Sequence, residues 1–155
     1  MDYRITGLDP REFIHLVPLD DAALAGQRAV RRVCDSRPGF PCRVSLEDAR
    51  PGERVLLVNY EHLPVDSPYR ASHAIYVREG ATQPFDAVNE LPEALATRLL
   101  SLRAIDAKGH IVDADIAEGA AIEPLIRRLL GNDQVAYVHA HFARRGCFAA
   151  RIDRA

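Results

Sequence analysis

Three short stretches of this chain gather side chains able to do chemistry. In Phe40-Pro41-Cys42-Arg43 a thiol stands next to a guanidinium. A neighbouring positive charge favours the thiolate, the form that attacks electrophiles, and the same guanidinium can clasp an anion with its planar fork. The competing reading is structural, with Cys42 a small buried residue and Arg43 paired with Glu47 or Asp48. In Ser67-Pro68-Tyr69-Arg70-Ala71-Ser72-His73, the residues Tyr69, Arg70, Ser72 and His73 supply hydroxyls, a fixed positive charge and an imidazole that titrates near neutrality. They suit a small polar or anionic ligand, or else anchor a loop through hydrogen bonds. If the two stretches converge on one pocket, Cys42 serves as nucleophile and His73 as its base, while Arg43, Tyr69, Arg70 and Ser72 hold the ligand.

The third stretch is Tyr137-Val138-His139-Ala140-His141. On a strand, period two places Tyr137, His139 and His141 on one face. Two histidines at that spacing can share a metal, and His73 from another strand would complete a three-histidine set. The plainer alternative is a pair of surface residues on the strand's wetter face, since no HExxH or carboxylate-containing metal signature accompanies them. Glycine-rich phosphate loops, a GxSxG elbow and paired-cysteine zinc spacings are all missing, so no nucleotide or hydrolase signature is present and no cofactor is implied. Arg144-Arg145 reads as solvated turn charge, and Gly146-Cys147 as the opening of a core-facing strand.

These residues must be positioned by regular elements, and the pattern supplies them. Tyr3 to Leu8 reads as an opening strand; Asp9 caps a short helix with Pro10 at its first position, and Leu19-Asp20-Asp21 starts another that Gly26 stops. Gln27 to Asp35 alternates as a strand, Arg54 to Tyr60 is an aliphatic strand buried on both faces or nearly so, and His73 to Glu79 is a further strand. Between the last two, Glu61 to Ala71 reads as a loop of about ten residues, a length that often marks function. A helix is predicted from Leu91 to Leu99 or Leu100, and another from Ala120 to Leu130 with Ile122, Leu125, Ile126 and Leu129 on its apolar stripe. Two hairpins are predicted, Leu102–Asp106 with His110–Asp115 around Ala107-Lys108-Gly109, and Gln134–Ala143 with Cys147–Asp153 around Arg144-Arg145-Gly146. The sum is one α+β domain over residues 1–155: a mostly antiparallel sheet built from hairpins, with three or four short helices packed on one side.

Composition narrows the function classes. With 155 residues, 48% of them apolar and 27% charged, the chain can bury a core without disulfides. Nineteen of the twenty basic residues are arginine, Lys108 being the one lysine, yet twenty-two acids leave a net charge of −2. No global positive field draws in nucleic acid, and no aromatic platform interleaved with lysine suggests a single-strand binder. No aliphatic run reaches a membrane span, and the N-terminus lacks the features of a signal peptide. Three cysteines, Cys34, Cys42 and Cys147, fit a reducing cytoplasm better than a stapled secreted fold. The leading expectation is a site for a small polar or anionic ligand, enzymatic or not. The alternatives are a non-enzymatic interaction module that forms a homodimer or holds a protein partner, and a metalloprotein using His73, His139 and His141.

The stretch Pro41-Cys42-Arg43-Val44-Ser45-Leu46-Glu47-Asp48-Ala49-Arg50-Pro51-Gly52-Glu53, together with Ser67 to Val77 and Gly146-Cys147-Phe148, resembles the signature of a bacterial family known as domain of unknown function 1203. The resemblance covers nearly the whole chain. Many members look as if they carry glycine-proline where His73-Ala74 stands and a second cysteine where Ser45 stands, so His73 and a cysteine pair are not implied as family-wide devices. The resemblance implies a small bacterial cytosolic protein and carries no reaction with it.

Overall fold

The alternating stretches form nine strands, and the computed structural model describes all of residues 1–155. In chain order they are β1 Tyr3–Thr6, β2 Ala29–Val33, β3 Arg54–Leu63, β4 Ala71–Arg78, β5 Asp86–Val88, β6 Leu99–Asp106, β7 Ile111–Glu118, β8 Val135–Phe142 and β9 Phe148–Arg154. The helices are short: α1 Asp21–Gly26, α2 Glu93–Ala96 and α3 Glu123–Leu130. The strands make two antiparallel sheets rather than one, a six-stranded sheet ordered β5-β1-β9-β8-β6-β7 and a three-stranded sheet ordered β2-β3-β4. The α+β class and the hairpins β6–β7 and β8–β9 agree with the periodicity. No helix is long and apolar enough to cross a membrane.

Two cores follow from strand alternation. Leu100, Leu102 and Ala104 of β6 and Val138, Ala140 and Phe142 of β8 turn to one face of the large sheet, where α3 covers them with Ile126, Leu129 and Leu130. The small sheet buries Leu56, Val58, Ile75 and Val77 against Phe13, Leu16 and Leu24. Phe148 of β9 joins that second core, so the far face of the large sheet meets the small one.

Element boundaries shift for local reasons. The segment after Asp9 makes two 3-10 turns, Pro10–Glu12 and Ile14–Leu16, in place of one helix, with the Asp9 carboxylate accepting from the Arg11 N–H. The helix predicted through Leu99 or Leu100 stops at Ala96, because both leucines are recruited as the first residues of β6 beside β7 and β8. The predicted loop Glu61–Ala71 shrinks at its start, since β3 runs through a bulge to Leu63. Pro124 confines α3 to start at Glu123, preceded by a 3-10 turn at Gly119–Ala121. Strand β5, three residues long, is too short to show a period.

Candidate functional site

The site begins with residues 40–49, which form a tight fold-back lacing the two sheets together. The Arg43 N–H donates to Tyr76 O of β4 (3.0 Å), while Arg43 O accepts from Leu8 N (2.8 Å) just beyond β1. Gly7 N donates to Phe85 O and Phe85 N to Val44 O, both at 2.8 Å. This close lacing needs a glycine: a Cβ at position 7 would stand 2.0 Å from Val44 O. Cys42, in an isolated bridge, and Arg43, in the turn that follows, take different partners. Cys42 is buried in the small-sheet core with its sulfur accepting the Arg78 N–H (3.3 Å).

Arg43 instead points inward, only 2% exposed. Its Nε donates to Phe148 O (2.8 Å), Nη1 to Pro41 O (2.6 Å) and Nη2 to Cys147 Sγ (3.0 Å). The guanidinium also lies 4.8 Å from the centre of the Phe142 ring. Neither Glu47 nor Asp48 pairs with it. Asp48 is taken by Arg98 in a bidentate pair of 2.6 and 2.8 Å and by the Gly39 N–H at 3.1 Å. Burial alone would raise the Asp48 carboxyl, but these donors outweigh it and hold the group below the usual carboxylate range. Burial pushes Arg43 down to about 10, partly offset by the nearby Cys147 and Cys42 sulfurs, so it is a cation at neutral pH. A guanidinium has five N–H donors, and protein atoms occupy three of Arg43's.

Arg43 opens onto a cavity of about 680 Å³ where the end of the large sheet meets the outer face of the small one. Its charged wall is one-sided: Arg32 of β2, Arg98, and Arg144 and Arg145 of the β8–β9 turn accompany Arg43, against the single acid Glu118. Of these five arginines, Arg98 alone is in an ion pair. Cys147, His73, Thr97 and Tyr76 are also in the lining. The turn that carries the two arginines is shaped by Gly146 at φ +78°, a left-handed conformation that suits glycine.

Of the residues singled out by sequence, Arg43 and His73 line this cavity, while Cys42, Tyr69, Arg70 and Ser72 are not in its wall. The His73 ring nitrogens face Ala74 O (2.9 Å) and Arg145 O (3.1 Å). Arg70 pairs with Glu61 on the surface, and Tyr69 packs against His110 at 5.9 Å between ring centres. Sequence reasoning passed over Arg32, Arg98 and Cys147. For the two arginines the one advance signal was the surplus of arginine over lysine, which does not point to positions, and Cys147 read only as the opening of a core-facing strand.

His139 and His141 do share a face, but it is a buried one, 4% and 1% exposed, because β3 lays His62 and β9 lays Phe148 over it. The His62 ring lies 4.9 Å from His141 and 6.2 Å from His139 between centres. Burial pushes His62 down to about 4 and both others to about 3, with mutual repulsion and Arg103 adding to it. No group of three histidine, cysteine or acidic side chains is arranged to hold a metal ion.

Residues 39–154 match the model of a family described as "Protein of unknown function (DUF1203)". That span is most of the chain and holds Arg43, His73, Arg98 and Cys147, and the chain belongs to this family. No curated protein and no solved structure matches it.

Proposed function

We propose that this protein binds a small anionic ligand of the carboxylate or phosphate class in the arginine-walled cavity, with Arg43 as its innermost contact. The observation that carries the reading is Arg43 itself, a buried cation with no carboxylate partner, whose neighbours across an open cavity are further unpaired arginines. A buried charge is costly unless an opposite charge answers it. Backbone carbonyls and a thiol answer it only in part. A bound anion would complete the shell, using the N–H groups left over on Arg43 and the planar forks of Arg32, Arg144 and Arg145. Arg98 contributes less charge because Asp48 neutralises it. His73 stands in the wall between β4 and the arginine turn, with its Nε2 facing Arg145 O.

Calorimetric titration with inorganic phosphate and with citrate, in a low-salt buffer, tests this. The wild-type chain should bind at least one of them, and the double variant Arg144→Ala/Arg145→Ala should bind about tenfold or more weakly, since two charges without an acidic partner have been removed from the wall. Those side chains belong to a turn outside the cores, so the fold survives their loss. Absence of binding to either anion, or equal affinity in the double variant, contradicts the proposal.

A further inference from the structure

Cys147 is the group in the cavity that anion binding leaves unexplained. Its sulfur accepts the Arg43 Nη2–H at 3.0 Å, it is 6% exposed, and it lines the cavity beside Arg144 and Arg145. The other two thiols sit elsewhere: Cys34 Sγ donates to Ser36 O (3.1 Å) and Ala49 O (3.4 Å), and Cys42 accepts a backbone N–H in the small-sheet core. We infer that Cys147 is the reactive thiol of the cavity and that it exchanges with small anionic disulfides; the inference rests on the anion-site reading above.

The surroundings of the sulfur select the reaction. Attack on an acyl or phosphoryl centre needs a nearby acid to protonate the departing oxygen or nitrogen. The hydrogen-bond partner of Cys147 is a guanidinium, which keeps its protons. The His73 ring nitrogens face the Ala74 and Arg145 carbonyls rather than the Cys147 sulfur. Disulfide exchange needs no acid, because its leaving group departs as a thiolate. Cys147 first yields its proton to water, and the guanidinium stabilises the charge on sulfur. The sulfur then attacks one sulfur of the incoming disulfide. A new S–S bond forms to Cys147, the old one breaks, and its electron pair leaves on the second sulfur, which takes a proton from water after release. Cys147 is oxidised to a mixed disulfide and the released half is reduced, the substrate itself being the oxidant. A further small thiolate reverses the step. The arginines hold the carboxylates of the disulfide and favour the departing thiolate.

Reduced full-length protein is incubated with oxidised glutathione (anionic), bis(2-hydroxyethyl) disulfide (neutral) or cystamine (cationic), and adducts are located by peptide mass mapping. The adduct should fall on Cys147, and the anionic probe should outpace the cationic one by about tenfold or more, the reach of electrostatic focusing in a charged cleft. Arg144→Ala/Arg145→Ala should shrink that ratio, and Cys147→Ser should lose the adduct. A Cys147 that stays unmodified until the chain is denatured, or one with no preference for negative probes, overturns the inference. Phosphate or citrate binding with an unreactive Cys147 overturns this inference alone. Loss of anion binding as well overturns the reading beneath it.

Discussion

Arg43 shows how neighbours in sequence become strangers in space. The pairing of a thiol with a guanidinium is legible in Cys42-Arg43, yet the Cys42 sulfur accepts the Arg78 N–H, and the sulfur that Arg43 donates to comes from Cys147, over a hundred positions away. Residue types thus told what chemistry was available but not which copies would meet. The same holds for Asp48, a near neighbour of Arg43 that is captured by Arg98 instead. An ammonium has three donors on one atom and cannot span Phe148 O, Pro41 O and the Cys147 sulfur as the guanidinium fork does. Arg43→Lys should therefore lower stability by about 2–3 kcal/mol, from buried carbonyls left without donors, and should abolish anion binding. Urea unfolding of the variant measures the first effect and titration with phosphate or citrate the second. An Arg43→Lys variant as stable as wild type would remove Arg43 from its structural role.

At the level of elements, β3 was readable as a short aliphatic run, and β4 and the hairpins from period two and turn residues, all of them local signals. The stacking of two sheets was not, and that stacking changes the environment of a whole strand face. His139 and His141 alternate with Val138 and Ala140 as expected, but His62 and Phe148 close over them. Burial keeps His62, His139 and His141 neutral in the folded chain, with Arg103, Arg151 and His73 on the elements facing them, whereas a free histidine titrates near 6.5. Below that value the unfolded chain takes up protons that the folded chain refuses. Stability must then fall as the pH drops from about 6.5 to about 4, with His139 and His141 each adding up to about 1.4 kcal/mol per pH unit and the half-buried, solvent-screened His62 less. Urea midpoints measured from pH 7.5 to 4.5 should decline steeply, and His139→Gln should flatten the slope. A flat profile in the wild type would mean that these histidines are charged in the folded state.

Across the whole molecule, nineteen arginines nearly cancel against the acids, so net charge conceals where cations gather. Most arginines are dispersed in surface pairs such as Arg4–Asp86 and Arg128–Asp113, or hold backbone carbonyls as Arg154 does at the end of β9. Five arginines, Arg32, Arg43, Arg98, Arg144 and Arg145, converge where β2, the 40–49 fold-back, the start of β6 and the β8–β9 turn meet, four places that only the tertiary fold brings together. No local pattern could have announced that convergence, whereas the α+β class followed from the order of strands and helices. Whether this convergence of arginines holds an anion is read from a crystal structure of the full chain soaked in selenate, through the anomalous signal of selenium. A peak is expected inside the cavity within hydrogen-bonding distance of Arg43 and at least one of Arg32, Arg144 and Arg145. A cavity without a peak, at selenate concentrations that decorate other surface arginines, would contradict anion binding there.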